Sequence, residues 1–154
     1  MASQQQTVDA PAKALQVLLV EDNDLDVEIA KRVFAKSGVA VYLHIARDGQ
    51  EALDFLWQRR NEEEQPGPLP DLALLDLNLP MVDGIQILRR MKSDPRLSAI
   101  PVVVLTGESS ERPLRECMEL GTNLYLMKPM AISDVLNVFV GVQRYWTALD
   151  GLET

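Results

Sequence analysis

Cysteine occurs once in the 154 residues, as Cys117, and histidine once, as His44. A single thiol excludes a disulfide within the chain and fits a reducing compartment. A single imidazole excludes a histidine-rich metal site and leaves little for a Ser-His-Asp arrangement. Long hydrophobic runs are missing: no unbroken apolar stretch is long enough to span a bilayer. The opening residues, MASQQQTVDAPAK, lack the apolar core of a signal peptide. Positive charge is in deficit, with 15 Lys and Arg against 23 Asp and Glu and a net charge of −8. That balance argues against holding nucleic acid by non-specific phosphate attraction. Together these absences lead to the expectation of a cytoplasmic protein with neither membrane nor nucleic acid as partner.

What is present is the composition of an ordinary globular domain, 47% apolar and 25% charged. The length suggests one domain. Residues 1–13 read as a disordered tail, 14–150 as the domain with no output domain attached, and 151–154 as a second tail.

Five short apolar runs alternate with helical patterns. Leu15–Val20 reads as a buried strand, followed by Leu25, Val27, Ile29, Ala30, Val33 and Phe34 at near-helical spacing up to a Gly38 stop. Val41–Ala46 is a second strand, and Asp48 caps a helix carrying Ala52, Leu53, Leu56 and Trp57. Arg59 to Pro70 is charged and proline-bearing, hence a surface loop in which Glu62-Glu63-Glu64 is solvated. Leu72 to Leu75 is apolar throughout and ends on Asp76, a strand buried on both faces. Ile85, Ile87, Leu88 and Met91 mark a helix that ends before Pro95. Pro101–Thr106, a short helix closed by Gly121, Leu124–Met127 and a last helix from Ile132 to about Leu149 complete the pattern. Such alternation predicts an α/β fold, a doubly wound parallel sheet with helices on both faces.

Four of the five strands end on a polar group: Glu21-Asp22, Asp76, Thr106 and Lys128. In an open parallel sheet, ligands bind beyond the carboxyl ends of the strands, where the strand order reverses. One such residue alone reads as a helix cap, and Asp22 or Asp24 is a candidate cap for the first helix. Four strand ends agreeing read as a site. Carboxylates crowded at about 4 Å repel by on the order of 4 kcal/mol at an effective dielectric of 20, so they need a proton or a cation. Oxygen donors with open positions suit Mg²⁺ and phosphate. Glu21, Asp22 and Asp76, with the backbone carbonyl of Asn78, are therefore candidate metal ligands. Asp76 is the candidate nucleophile for a phosphoryl group, Lys128 neutralises one phosphoryl oxygen and the Thr106 hydroxyl donates to another.

In this order and spacing, LLVEDN, LLDLNLP, VDG, VLTG and Lys128-Pro129 resemble the bacterial response-regulator receiver domain, over about Val17 to Trp146. The resemblance implies a five-stranded CheY-like, flavodoxin-like (βα)5 fold with strand order 2-1-3-4-5. It implies that Asp76 is the phosphoacceptor, that Glu21, Asp22 and the Asn78 carbonyl hold Mg²⁺, and that Lys128 contacts the phosphoryl group. Thr106 and Tyr125 become the switch pair. A histidine kinase is the implied donor, and the domain is a signalling switch rather than an enzyme, its phosphoryl transfer and hydrolysis confined to its own Asp76. Leu124 departs from the acidic residue that many members carry. The long 59–70 loop and the Tyr145-Trp146 ending are similar to the small receivers of bacterial and cyanobacterial phytochromes, which makes a phytochrome the expected kinase.

Three further readings stand beside these. The last helix has more apolar residues than one core face requires. Ile132, Val135, Leu136, Phe139 and Val142 suffice for the sheet, which leaves Val138, Val140, Tyr145, Trp146 and Leu149 as surplus, with Val138, Tyr145 and Trp146 the expected seam of a symmetric homodimer. His44 is expected in a packing or surface role, and Cys117 as a small buried filler. A phosphatase of the haloacid-dehalogenase type is the competing function, although Asn78 stands where that family has a second Asp and Asp76 lies on the third strand rather than the first. A plain dimerising scaffold is a third possibility.

Overall fold

The computed structural model describes residues 14–60, 69–77, 84–107, 111–122 and 124–138. Five strands, β1 (Leu15–Val20), β2 (Val41–Ala46), β3 (Leu72–Asp76), β4 (Val102–Thr106) and β5 (Leu124–Met127), alternate with helices. The helices are α1 (Asp24–Ser37), α2 (Gly49–Arg60), α3 (Gly84–Lys92) and α4 (Glu111–Glu119), followed by α5 at 132–138. All neighbouring strands pair in parallel, in the order β2-β1-β3-β4-β5. This is the expected 2-1-3-4-5 arrangement. The chain passes from β1 outward to β2 and then returns to the other side of β1 for β3. The order therefore reverses between β1 and β3.

The two faces of the sheet carry separate cores, which follows from the period-two alternation of side chains along each strand. Val17 and Leu19 of β1, Leu72 and Leu74 of β3, and Val103 and Leu105 of β4 pack with Val27, Ala30 and Phe34 of α1 and with Val135 and Val138 of α5. Leu18 and Val20, Ala73 and Leu75, and Val102 and Val104 face the other way, onto Leu53 and Leu56 of α2, Ile87, Leu88 and Met91 of α3, and Cys117 of α4. Strands covered on both sides read as unbroken apolar runs for this reason. Cys117 is fully buried, as its expected filler role requires. His44 packs between Tyr42 and Phe55, with ring centroids 4.7 and 5.1 Å away, and its Nε2 lies 2.7 Å from Gln16 Oε1.

Helix ends follow local chemistry. Gly38 closes α1 at φ 82°, in the left-handed region that glycine occupies without a Cβ clash. Asp48 caps α2 by accepting from the Glu51 N–H at 2.8 Å. Neither Asp22 nor Asp24 caps α1. Asn23 does, its Oδ1 accepting from the Asp26 N–H at 2.9 Å. The α2 helix continues through Arg60, past Arg59 where a loop is expected to start; residues 61–68, including Glu62, Glu63 and Glu64, lie outside the described residues.

The face of α5 also differs from expectation. Val135 and Val138 are buried at 2% and 4% exposure, while Ile132 and Leu136 stand 38% and 43% exposed. Val138 thus belongs to the chain's own core and is not part of an outward seam. Apolar residues occur all around this helix, and Val135 fits either an inward 132/135/136 stripe or an inward 135/138 stripe. Spacing alone leaves that choice open, and contact with α1 and the sheet makes it. Phe139, Val142, Tyr145 and Trp146 lie outside the described residues. Among the described residues, no helix is long and apolar enough to cross a membrane.

Candidate functional site

At the carboxyl end of the sheet, polar residues at or just past the ends of β1, β3, β4 and β5 stand close to one another, while β2 ends on the buried Ala46. Glu21 follows β1 directly, held by its N–H donating to the Ala46 carbonyl at 2.9 Å. Asp76 ends β3 and is level with Leu105 of β4, so it stands in the middle of the sheet. Thr106 ends β4, its side chain buried and its carbonyl accepting from the Lys128 N–H at 2.9 Å. That bond fixes Lys128 just beyond β5.

The side chains meet over the reversal point between β1 and β3. Lys128 Nζ lies 2.8 Å from Glu21 Oε1, 3.0 Å from Asp26 Oδ2 and 3.3 Å from Asp76 Oδ2. Glu21 and Asp76 are only 1% and 2% exposed, whereas Asp22 is exposed. One carboxylate oxygen from each of Glu21, Asp22 and Asp76 falls within 4.8 Å of the others.

Three carboxylates around one ammonium, with Asp22 a fourth beside Glu21 and Asp76, leave a surplus of negative charge. Burial, reinforced by the neighbouring Asp76, pushes the Glu21 pKa up to about 7 against the pull of Lys128. Burial would by itself lower the Lys128 pKa, but hydrogen bonds to Glu21 and Asp26 and the charges of Asp76 and Glu21 hold it above the ordinary lysine value. The ammonium therefore stays charged at neutral pH.

The same surplus suits a small, hard cation. The three grouped carboxylates offer only oxygen donors, the chemistry Mg²⁺ prefers. Glu21 Oε1 is shielded from water, with the Lys128 ammonium 2.8 Å away as its close partner. A buried carboxylate oxygen held by one ion pair keeps a lone pair that fits a cation in the cleft. The Asn78 carbonyl, the fourth expected ligand, lies outside the described residues.

Two residues complete the surroundings. Gly84 opens α3, and a Cβ there would lie 2.5 Å from the Asp76 carbonyl oxygen, closer than side-chain carbons approach backbone. That contact gives the glycine of the VDG motif a reason: α3 starts against the backbone leaving β3. Tyr125, the other member of the expected switch pair, is 43% exposed on the edge strand β5. Asp26 was not among the candidates. An acid in the first turn of a helix is the usual complement to the helix dipole, and nothing local reveals that its side chain crosses to Lys128.

Residues 17–139 match the response regulator receiver domain. The chain belongs to the response regulator receiver family. Response regulator Rcp1 of Synechocystis is 39% identical over 130 residues, 84% of this chain and 87% of Rcp1. The Mn(2+)-bound crystal structure of Rcp1 covers 86% of this receiver and 94% of its own chain, with a TM-score of 0.68. The bacteriophytochrome response regulator AtBRR is 37% identical, with a TM-score of 0.74 over 84% of this receiver and 93% of AtBRR. A probable methanogenesis regulatory protein of Methanothrix harundinacea, FilR2, is 40% identical over 130 residues, 84% of this receiver and 82% of that protein. This receiver has the CheY-like, flavodoxin-like fold of its solved neighbours. The family assignment, together with Asp76 on the third strand in chain order, removes the haloacid-dehalogenase alternative.

Proposed function

We propose that this receiver takes a phosphoryl group on Asp76 from the phosphohistidine of a phytochrome-type kinase in the cytoplasm, and that the modification resets its partner-binding surface. The observation that carries the reading is the Lys128 ammonium 3.3 Å from a nearly buried Asp76 carboxylate, inside a cluster of oxygen donors. The Asp76 oxygen forms the new bond to phosphorus as the N–P bond of the donor breaks, and the imidazole leaves with the electron pair and takes up a proton. Catalysis is then positioning and charge neutralisation. Glu21, Asp22 and Asp76 would hold Mg²⁺, which supplies positive charge for the phosphoryl oxygens. Lys128 supplies another positive charge. Later hydrolysis occurs at the same aspartate, so the domain turns over no separate substrate.

Thr106 and Tyr125 form the readout. The Thr106 hydroxyl moves toward the phosphoryl group and Tyr125 leaves its exposed position for the space behind it. Shifting a two-state equilibrium from 1:99 to 99:1 takes about 5.5 kcal/mol, within reach of a few charge-assisted hydrogen bonds. The homodimer belongs to the same reading, with its seam transferred from Val138 to the exposed Ile132 and Leu136 and to Tyr145 and Trp146. Likeness to AtBRR supports a phytochrome as donor.

The test is incubation with autophosphorylated phytochrome kinase and Mg²⁺. The expected result is one acid-stable, base-labile label per chain, absent from Asp76→Asn. Label retained by Asp76→Asn, or transfer only from kinases of other sensory classes, counts against the reading.

A further inference from the structure

Lys128 has three N–H donors, and three carboxylates lie around them: Glu21 on β1's tip, Asp76 on β3's tip, and Asp26 on α1. The third contact depends on how α1 begins. Asp26 occupies the third position of the first turn, where an acidic side chain commonly reaches back to the N–H of the capping residue. Here that N–H, of Asn23, donates instead to Glu21 Oε2 at 3.2 Å. Asn23 in turn accepts from the Asp26 N–H. With the reciprocal cap supplied by Glu21, the Asp26 carboxylate is released to accept from Lys128 Nζ at 3.0 Å, across 102 residues of sequence.

We propose that Asp26 is a positioning residue, which aims the Lys128 ammonium at the phosphoryl group carried by Asp76. This rests on the receiver reading above. When Asp76 is modified, the ammonium's third donor passes from the Asp76 carboxylate to a phosphoryl oxygen. The other two donors keep the ammonium in place. Of their two acceptors, Glu21 belongs to the carboxylates that would hold a cation and Asp26 does not, so Asp26 is the anchor that metal binding would leave intact. Asp26 sits outside the metal-ligand group formed by Glu21, Asp22 and Asp76 and acts through Lys128 alone.

Acetyl phosphate with Mg²⁺ tests this, since its acetate leaves as the Asp76–phosphorus bond forms and no kinase contact is involved. Asp26→Ala is expected to lower the maximal labelling rate about tenfold, in line with losing one charge-assisted hydrogen bond. The half-saturating acetyl phosphate concentration and the Mg²⁺ affinity are expected to change little. Asp26→Asn, which keeps an acceptor oxygen, should fall between Asp26→Ala and wild type and covers the case of a poorly folded alanine variant. In a Lys128→Met background, adding Asp26→Ala should cost nothing more, because coupled residues are non-additive. A wild-type rate in Asp26→Ala, or a full tenfold loss on top of Lys128→Met, overturns the inference while leaving the receiver reading intact. A wild type with no label on Asp76 overturns both.

Discussion

Glu21 and Asp76 are carboxylates placed where water hardly reaches, and each is tolerable only because something positive or protonated stands beside it. For Glu21 the folded pKa of about 7 lies above the ordinary 4.5. A raised folded pKa contributes stability that is complete below pH 4.5 and is lost as pH rises through 7. Metal-free protein is therefore expected to lose stability over that window. Glu21→Gln should match wild type near pH 4.5 and exceed it at pH 7.5, in urea titrations with EDTA; parallel curves for the two proteins would refute the assignment. Thr106 is buried at the tip of β4. Thr106→Ala should still accept phosphoryl label on Asp76 but lose most phosphorylation-dependent partner binding, measured by calorimetry on labelled protein. The residues that ended apolar runs were legible in the sequence, since a charge at the close of a buried strand needs a reason. Asp26 was not, because a first-turn helix acid already has one.

Among the elements, α3 and α5 show what spacing can and cannot fix. Of the four apolar residues that mark α3, Ile87, Leu88 and Met91 are buried and Ile85 is half-buried at the edge of the same core. For α5, apolar residues on both faces left the rotation open. Val138→Glu should consequently cost several kcal/mol, as an unpaired buried charge does, while Leu136→Glu costs far less in thermal unfolding at concentrations where the protein is monomeric. Equal losses would return Val138 to the surface. The start of α3 is fixed by a contact, not by a pattern. In Gly84→Ala the new methyl meets the Asp76 carbonyl at 2.5 Å. A loss of about 1–3 kcal/mol is expected, together with slower labelling of Asp76, because relief requires moving the backbone that carries it. The cap of α1 was missed by one residue. Three adjacent residues, Asp22, Asn23 and Asp24, are all good caps, and only the fold shows that Asn23 takes the role and leaves Asp22 to the cleft.

On the scale of the whole molecule, the layered architecture was legible because strand and helix alternate and the strands are apolar on both faces. The strand order came with the resemblance. A cleft whose carboxylates repel in the folded state but separate on unfolding would make a bound cation a global stabiliser. At about one hundred times its Kd, bound Mg²⁺ should add about 2.7 kcal/mol to unfolding. Asp22→Ala should abolish the increment, and calorimetric scans with and without EDTA measure it. Glu21 also links the cleft to the helix behind it. One of its oxygens faces Lys128, and the other holds the Asn23 amide at the threshold of α1. Whatever pulls this side chain forward tugs on that amide. Deuterium uptake at Asn23 thus becomes a silent witness to cleft occupancy, registered on the far side of the carboxylate and free of any reporter group.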